Sequence, residues 1–300
     1  MTKTQPPLLK QNDQNRVVNV ASVPFRSPFR YPGGKTWLVS RIRQWLLSKP
    51  MQPKLLIEPF AGGAIVGLTA AFESLAERVL LVERDPCVAA VWKTILGEDG
   101  EWLAERIVEF DLNTCAVDAT LANAAATTRD LAFQTILRNR INRGGILADG
   151  AGRVKQGENG KGLASRWYPE TLRKRILEIV QIRERLTFIE GDGIQLMREN
   201  AARDDAVFFI DPPYTAAGKR AGSRLYTHCE LDHSELFSVA STVCGDFLIT
   251  YDNAPEIEAM ARQYDFDCAS VAMKNTHHTR MTELLISPLL NQAMLLGTQG

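Results

Sequence analysis

Short apolar runs alternate with longer segments of helical periodicity along most of the chain. Strand-like runs separated by helical patterns indicate a parallel sheet with helices on both faces. The run at 206–210 is wholly apolar, which is typical of a central strand buried on both sides. We therefore predict an α/β fold with a doubly wound, mostly parallel, Rossmann-like sheet, and strands at 54–57, 78–83, 186–190, 206–210, 247–251 and 282–287.

This alternation stops between residues 97 and 186. The first half of that segment has helical patterns, the longest at 118–137, and the second half is rich in glycine, with Asn159-Gly160 as a hairpin-turn signal. A further helical pattern at 168–186 leads back to the sheet. The predicted organisation is a flexible tail, a catalytic domain in two pieces and an inserted helical and β-hairpin domain, at 1–24, 25–96 with 187–300, and 97–186.

Charge is balanced over the whole chain, with 35 lysines and arginines against 35 acids, but it is unevenly distributed. Residues 129–185 contain 13 basic and 6 acidic residues, a local excess of +7. A basic patch on a neutral protein can bind phosphate groups, and the alternative is a set of solvated helix faces.

Cysteine spacing and hydropathy exclude several classes of protein. The 5 cysteines are widely spaced and form no CxxC pair, so we predict neither a disulfide framework nor a metal site. His277 and His278 have no ligand-like spacing to another histidine or cysteine. No apolar run approaches the ~18 residues of a membrane span, and the polar first residues lack a signal-peptide core. We expect a cytoplasmic protein that does not bind a membrane.

The sharpest chemical signal is Asp211-Pro212-Pro213-Tyr214, directly after the apolar strand at 206–210. Ligands of open α/β sheets bind at the carboxyl ends of strands. A carboxylate at Asp211 and the rigidly held carbonyl of Pro212 can accept hydrogen bonds from an amino group and make its nitrogen a better nucleophile. Tyr214 offers a face on which a base can stack. The alternative is an ordinary strand-ending turn.

Three further motifs surround this one. The segment Glu58–Ala64 (EPFAGGA) links a strand to a helix, and its glycines allow either a tight turn or close approach to a ligand; it lacks the lysine of a phosphate loop. Glu83 ends the next strand, where an acid can bind a ribose diol, while Asp85 is placed to cap a helix. Gly33–Lys35 precedes an apolar helix and is either a helix start or an anion site.

In this order, YPGGK, EPFAGGA, an insert and DPPY resemble the Dam-type family of adenine-N6 DNA methyltransferases, over roughly residues 25–290. The resemblance implies methyl transfer from S-adenosylmethionine to N6 of a flipped-out adenine. It assigns cofactor contacts to Tyr31, Lys35 (near the methionine end), Phe60, Gly62, Glu83 (ribose) and Asp192 (adenine), and target-base contacts to Asp211, Pro212 and Tyr214. Two positions depart from the family's usual pattern, namely Ala64 for glycine and Glu83 for aspartate.

The resemblance also implies a partner, double-stranded DNA, which we expect the basic insert to contact through Arg138, Arg140, Arg143, Arg153 and Lys155. We expect a monomer, with a cognate restriction enzyme as a candidate partner. Two alternatives remain: a methyltransferase of the same fold that acts on RNA or a protein amide, and an inactive DNA-binding regulator. The intact motifs favour an enzyme, and the insert's charge favours a nucleic acid.

Overall fold

The computed structural model describes residues 23–30, 33–148, 150–157, 160–213, 231–274 and 280–290. The predicted tail at 1–24 lies almost wholly outside these ranges. Within them, no helix is both long enough and apolar enough to cross a membrane.

The described strands form one sheet: β1 (Leu55–Glu58), β2 (Arg78–Glu83), β3 (Leu186–Glu190), β4 (Ala206–Ile210), β5 (Asp246–Asp252), β6 (Asp267–Lys274) and β7 (Arg280–Ser287). Their order is β3-β2-β1-β4-β5-β7-β6. Strands β1 to β5 pair in parallel, and β7 runs antiparallel between β5 and β6. This confirms the predicted α/β class with a doubly wound, mostly parallel sheet.

Helices cover both faces of the sheet: α1 (Val39–Leu47), α2 (Ile65–Phe72), α3 (Pro86–Leu96), α4 (Gly100–Glu109), α5 (Thr114–Ala122), α6 (Thr128–Ile141), α7 (Pro169–Gln181), α8 (Gly193–Asn200), α9 (His233–Ala240) and α10 (Pro255–Gln263). Alternate residues of each strand enter opposite cores. In β2, Val79 and Leu81 pack with the helices α1 to α7, whereas Leu80 and Val82 pack with α8 to α10. Asp85 caps α3 as predicted, accepting hydrogen bonds from Cys87 N and Val88 N.

Two parts of the fold were not predicted. Strand β6 was missed because its sequence, DCASVAMK, is polar or small at most positions, as suits an edge strand. The continuous helix predicted at 118–137 is wrong, because α5 ends at Ala122 and α6 begins at Thr128. Thr127 and Asp130 form a capping box, in which each side chain accepts a hydrogen bond from the other residue's backbone N–H.

The segment at 97–186 packs on the same face of the sheet as α1 to α3 and shares their core. Trp167, near its carboxyl end, is buried edge-on against Phe110, with ring centroids 6.0 Å apart. Among the segment's described residues there is no strand, only an isolated bridge between Asn142 and Arg153. Asn159 of the predicted hairpin turn lies outside the described residues.

The chain reverses its direction of travel across the sheet between β1 and β4. From β1 it moves outward to β2 and β3, and it then returns to start β4 on the other side of β1. The carboxyl ends of these two neighbouring strands therefore form the crevice in which doubly wound folds bind ligands. Glu58 ends β1, and Asp211 directly follows β4.

Candidate active site

Asp211 lies at this crevice with a lysine against it. Its Oδ1 is 2.9 Å from Lys35 Nζ and accepts a hydrogen bond of 2.8 Å from Thr250 Oγ1 in β5. The Asp211 side chain is 22% exposed, whereas Lys35 is only 2% exposed. Asp211 is thus the member of the pair that a substrate in the crevice can reach. Pro212, the next residue, is buried, and the role of its carbonyl stays a prediction.

A second carboxylate, that of Glu283, also lies close to Lys35. Glu283 lies on β7 with its Oε2 3.4 Å from Lys35 Nζ and a side chain that is 7% exposed. Lys35 also donates to the carbonyl oxygen of Gly33 at 3.0 Å. Sequence reasoning missed Glu283 because no motif surrounds it. The signal was a single charged residue in the apolar strand TELLIS.

The pKa values of this group reflect burial opposed by charge pairing. Burial raises the pKa of Glu283 to about 7, with Lys35 opposing the rise and Asp211 adding to it. Burial alone would lower the pKa of Lys35, but Asp211 and Glu283 outweigh it and raise that pKa above its ordinary value. Lys35 is therefore a fixed positive charge at neutral pH, and Glu283 titrates near neutrality.

Glu58 extends the same buried network from β1. Its Oε2 accepts a hydrogen bond of 2.8 Å from Gly67 N in α2, and a Cβ at Gly67 would come within 2.6 Å of that oxygen. Burial raises the pKa of Glu58 well above its ordinary value, and the nearby charge of Asp211 adds to the rise. We refer to Lys35, Glu58, Asp211 and Glu283 as the acid–lysine cluster.

The EPFAGGA segment forms a strained turn after β1. Gly62 has φ 45° and Ala64 has φ 50°, and for Ala64 the left-handed conformation costs about 1 kcal/mol. In the family that these motifs resemble, glycine is usual at the position of Ala64, and the left-handed conformation accounts for that preference. The indole of Trp92 donates to the carbonyl oxygen of Gly62 at 2.9 Å and holds the turn from α3. Phe60 is half-buried against the opposite core.

Glu83 binds the turn directly. Its Oε2 accepts a hydrogen bond from Gly62 N at 2.9 Å, and its Oε1 accepts bonds from Arg84 N and Asp85 N at 2.8 and 2.9 Å. A carboxylate has about four acceptor positions, so one remains on Oε2. Burial raises the pKa of Glu83 despite these bonds. The predicted ribose contact therefore shares this carboxylate with a structural role that the sequence did not reveal.

Asp192 lies at the same edge of the sheet, after β3. It caps α8 by accepting a hydrogen bond from Gln195 N at 3.0 Å, and its side chain is 52% exposed. Gly193 packs so closely behind the turn that a Cβ there would meet Pro59 O at 2.2 Å. The turn, Glu83 and Asp192 thus follow three adjacent strands. At ~4.8 Å between strands, they span about 10 Å, the scale of a nucleoside.

The predicted DNA-binding residues separate into different environments. Arg143 and Lys155 are exposed, Arg138 is half-buried, and Arg153 forms an ion pair with Asp118 at 2.5 Å. Arg140 does not fit a surface role, because it is 3% exposed and its guanidinium donates to the carbonyl oxygen of Pro28. Tyr31 and Tyr214 lie outside the described residues, so their predicted roles stay predictions.

One polar pair lies near Asp211, and it includes His233, which the sequence placed in a loop, either beside the target base or in solvent, and which instead begins α9. His233 Nδ1 and the hydroxyl of Tyr251 are 2.8 Å apart, at the start of α9 and within β5. Burial lowers the pKa of His233, and burial together with the charge of Asp211 raises the pKa of Tyr251. Both groups are therefore neutral at physiological pH. Among the described residues, no group of three histidines, cysteines or acids is arranged to hold a metal ion.

No protein-family model matches the sequence, and no curated protein matches it. Among solved structures, the rRNA methyltransferase AviRa of Streptomyces viridochromogenes is similar at 14% identity, covering 96% of this chain and 95% of its own, with a TM-score of 0.40. Trm1 of Pyrococcus horikoshii, solved with S-adenosylmethionine, has 14% identity, covers 91% and 59%, and has a TM-score of 0.33. A precorrin-6y C5,15-methyltransferase of Geobacter metallireducens has 10% identity, covers 82% and 85%, and has a TM-score of 0.32. The case for a function rests on the geometry of the site itself.

Proposed function

We propose that this protein is an S-adenosylmethionine-dependent methyltransferase that acts on the exocyclic N6 of adenine in double-stranded DNA. The observation that carries the proposal is the position of Asp211 and Pro212 at the carboxyl end of β4, where the chain reverses direction in the sheet, with Lys35 and Thr250 fixing the carboxylate. This puts a reachable acceptor beside the glycine turn.

The edge formed by β1, β2 and β3 fits the proposed cofactor. The turn at Gly62 brings backbone to the crevice, Glu83 keeps one acceptor position for a ribose hydroxyl, and Asp192 is exposed one strand further. When bound there, S-adenosylmethionine supplies an electrophilic methyl group on a sulfonium. Phe60 lies within the turn and contributes an apolar wall.

Asp211 and Pro212 act on the nucleophile. The lone pair of an adenine amino group is delocalised into the ring, and hydrogen bonds from that group to the Asp211 carboxylate and the Pro212 carbonyl favour a tetrahedral nitrogen. The carboxylate interacts most strongly as positive charge develops on nitrogen, which stabilises the transition state more than the ground state. Inside a duplex this amino group is paired, so the base has to be flipped out, at a cost of a few kcal/mol. Tyr214 is the proposed stacking partner.

Duplex DNA is the proposed substrate because of the insert. Its carboxyl-terminal part, residues 129–185, contains 13 basic and 6 acidic residues, and among them Arg143 and Lys155 are exposed and accessible to phosphate groups. A cognate restriction enzyme and a monomeric state remain part of the proposal.

The test is to incubate the purified protein with labelled S-adenosylmethionine and, in parallel, with unmethylated duplex DNA, single-stranded DNA and RNA. Mass spectrometry of the digested nucleosides then identifies the product. We expect N6-methyldeoxyadenosine from the duplex. N4-methyldeoxycytidine from DNA, or a methylated nucleoside from RNA alone, would contradict the proposal and assign a different substrate to the same crevice.

A further inference from the structure

A short stretch before the acid–lysine cluster gathers three arginines from distant parts of the chain. Residues 27–30 supply Arg30 itself and two carbonyl groups that accept from the others. Arg140 in α6 donates to Pro28 O, and Arg175 in α7 donates to Ser27 O at 3.4 Å. We refer to Arg30, Arg140 and Arg175 as the arginine cluster.

The stretch is held firmly in place. Asn139 is fully buried, accepts a hydrogen bond from Arg30 N at 2.8 Å and donates one to Arg30 O at 2.9 Å. Gly145 packs against it so tightly that a Cβ would lie 2.2 Å from Arg30 O. Arg175 is also placed over the ring of Phe25, at 4.6 Å from the centroid. The backbone that carries Arg30 is therefore fixed, and Arg140 and Arg175 are each anchored to the same stretch by a hydrogen bond.

Among the described residues, no carboxylate lies in contact with this group; burial lowers the pKa of Arg175, and the charge of Glu178 only partly opposes that lowering. In the part of the chain that the structure describes, none of the three arginines forms an ion pair with a carboxylate, although nearby Arg173 does so with Glu105 at 2.7 Å. Two buried donors of the cluster, Arg30 Nη1 and Arg140 Nε, also have no hydrogen-bond partner among the described residues. A buried donor without a partner costs about 1–3 kcal/mol.

The charges also act on one another. Burial, with the nearby charges of Arg175 and Arg30, lowers the pKa of Arg140 to about 9, which still leaves it positive at neutral pH. Burial and the charge of Arg166 lower the pKa of Arg30. A buried charge without a paired opposite charge is costly. Because no carboxylate among the described residues pairs with these arginines, the geometry favours a negative group supplied from outside.

We propose that the arginine cluster binds a phosphate of the nucleic-acid backbone close to the target base, an inference that rests on the proposed function. Arg30 and Arg175 are half-exposed and can form the bidentate bonds that guanidinium makes with phosphate. Arg140 is buried and adds its positive charge to theirs.

The chain itself limits how far this phosphate lies from the chemistry. Lys35 pairs with Asp211 and follows Arg30 by five residues. Five extended residues span at most ~17 Å, and phosphates of one strand rise ~3.4 Å per nucleotide along duplex DNA. The α-carbons of Arg30 and Lys35 are therefore no further apart than about five nucleotides of one strand, and only the two side chains add to that distance. This site orients the strand relative to Asp211 and carries no sequence information of its own.

The experiment compares Arg30→Gln, Arg175→Gln and the double variant with Arg173→Gln, a matched control on α7 whose partner is Glu105. Affinity for a 20-base-pair duplex is measured by fluorescence anisotropy over a range of salt concentrations. We expect each cluster variant to bind about tenfold more weakly at low salt and to lower the salt slope by about one, and the control to match the wild type. Wild-type affinity and slope in both single variants would overturn the inference.

Two further arms separate the outcomes. Thermal unfolding in inorganic phosphate and in chloride at equal ionic strength tests for a free anion. A phosphate-specific rise in melting temperature that the variants lose, with no change in DNA binding, would assign the site to a free phosphate ester and overturn the nucleic-acid assignment.

If the wild type binds duplex DNA in the expected way but methylates no base in it, the proposed function fails and the phosphate site stands. If it methylates DNA while the cluster variants bind normally, only this inference fails.

Discussion

Two groups of buried charge lie at either end of residues 30–35, and they are constructed in opposite ways. In the acid–lysine cluster, the positive charge of Lys35 faces Asp211 and Glu283, at 2.9 and 3.4 Å. In the arginine cluster, the positive charges have carbonyl oxygens as partners and no paired carboxylate among the described residues. Among the described residues, the positive charge of the first group is paired with carboxylates, whereas the positive charges of the second group are not.

The two groups therefore differ in the kind of ligand that they can bind. A carboxylate already fixed by a lysine and a hydroxyl needs little reorganisation to stabilise charge on a substrate nitrogen. A set of partly buried arginines without a paired acid lowers its free energy when an anion binds. Neutral and positive groups thus suit the first cluster, and phosphate suits the second.

The largest effect is expected from Asp211→Ala. Turnover of the proposed methylation should fall by at least about 10²-fold, because the variant loses an interaction made mainly in the transition state. Affinity for cofactor and DNA, measured by calorimetry, should change little, and Lys35 retains Glu283 as a partner. Asp205→Ala, at the amino end of the same strand, is the control and should be fully active. Substantial turnover in Asp211→Ala would remove the proposed mechanism.

Lys35→Met should destabilise the fold, since it leaves the buried carboxylate of Glu283 near the charge of Asp211 without the lysine that pairs with both. We expect the free energy of unfolding in urea to fall by about 3 kcal/mol at pH 8. The control is Lys93→Met, which removes an exposed pair with Glu190 and should cost less than about 1 kcal/mol. Equal stability of both variants would mean that the acid–lysine cluster is no more tightly coupled than a surface ion pair.

Glu283→Gln should weaken the dependence of stability on pH. The folded-state pKa of Glu283 is raised to about 7 from 4.5, so its contribution is complete below about pH 4.5 and is lost as the pH rises through 7. This loss is on the order of 1–3 kcal/mol. Unfolding free energies at pH 5 and pH 8 should therefore differ less in the variant. A residual slope is expected from Glu58, whose pKa is also raised. If the free energy of unfolding depends on pH as steeply in the variant as in the wild type, the raised pKa of Glu283 is contradicted.

Glu83→Ala should weaken binding of S-adenosylmethionine by about 1–3 kcal/mol, through loss of a ribose contact and of the support it gives to Gly62 N. Glu190 is directly opposite Glu83 in β3 and is exposed, which makes Glu190→Ala the matched control. Titration calorimetry measures both. Wild-type affinity in Glu83→Ala would leave this carboxylate with a structural role only.

The smallest effect is expected at the exposed basic residues of the insert. Arg143→Gln and Lys155→Gln should each lower the salt slope of DNA binding by about one, with a uniform loss of affinity across sequences for a phosphate contact. Lys174→Gln, exposed on α7, is the control. If neither slope changes, the arginine cluster accounts for phosphate binding without them.

Much of the fold follows from local pattern. The runs RVLLVE, LTFIE and AVFFI form strands with the predicted bounds. RVLLVE and AVFFI are apolar and buried because the sheet is covered on both faces there, whereas LTFIE mixes apolar and polar residues and forms an edge strand that is mostly exposed. The insert was predicted less well, because the buried face of α6 is determined by α3 and α4 and not by its own periodicity. Strand β6 is held at the sheet edge by pairing with β7, which its own composition does not indicate.

The proposed catalytic motif and the glycine turn could be recognised from the amino-acid sequence, since both depend on residues that are adjacent in the chain. Their surroundings depend on the tertiary structure. Lys35, Asp211 and Glu283 come from three distant segments, and only the sheet order together with the packing of the helical segment at Lys35–Leu38 makes them neighbours. Likewise, Arg140 resembled any other basic residue of the insert until the fold buried it against residues 27–30. Burial and charge pairing are properties of contacts between distant segments, and for that reason local sequence could not reveal them.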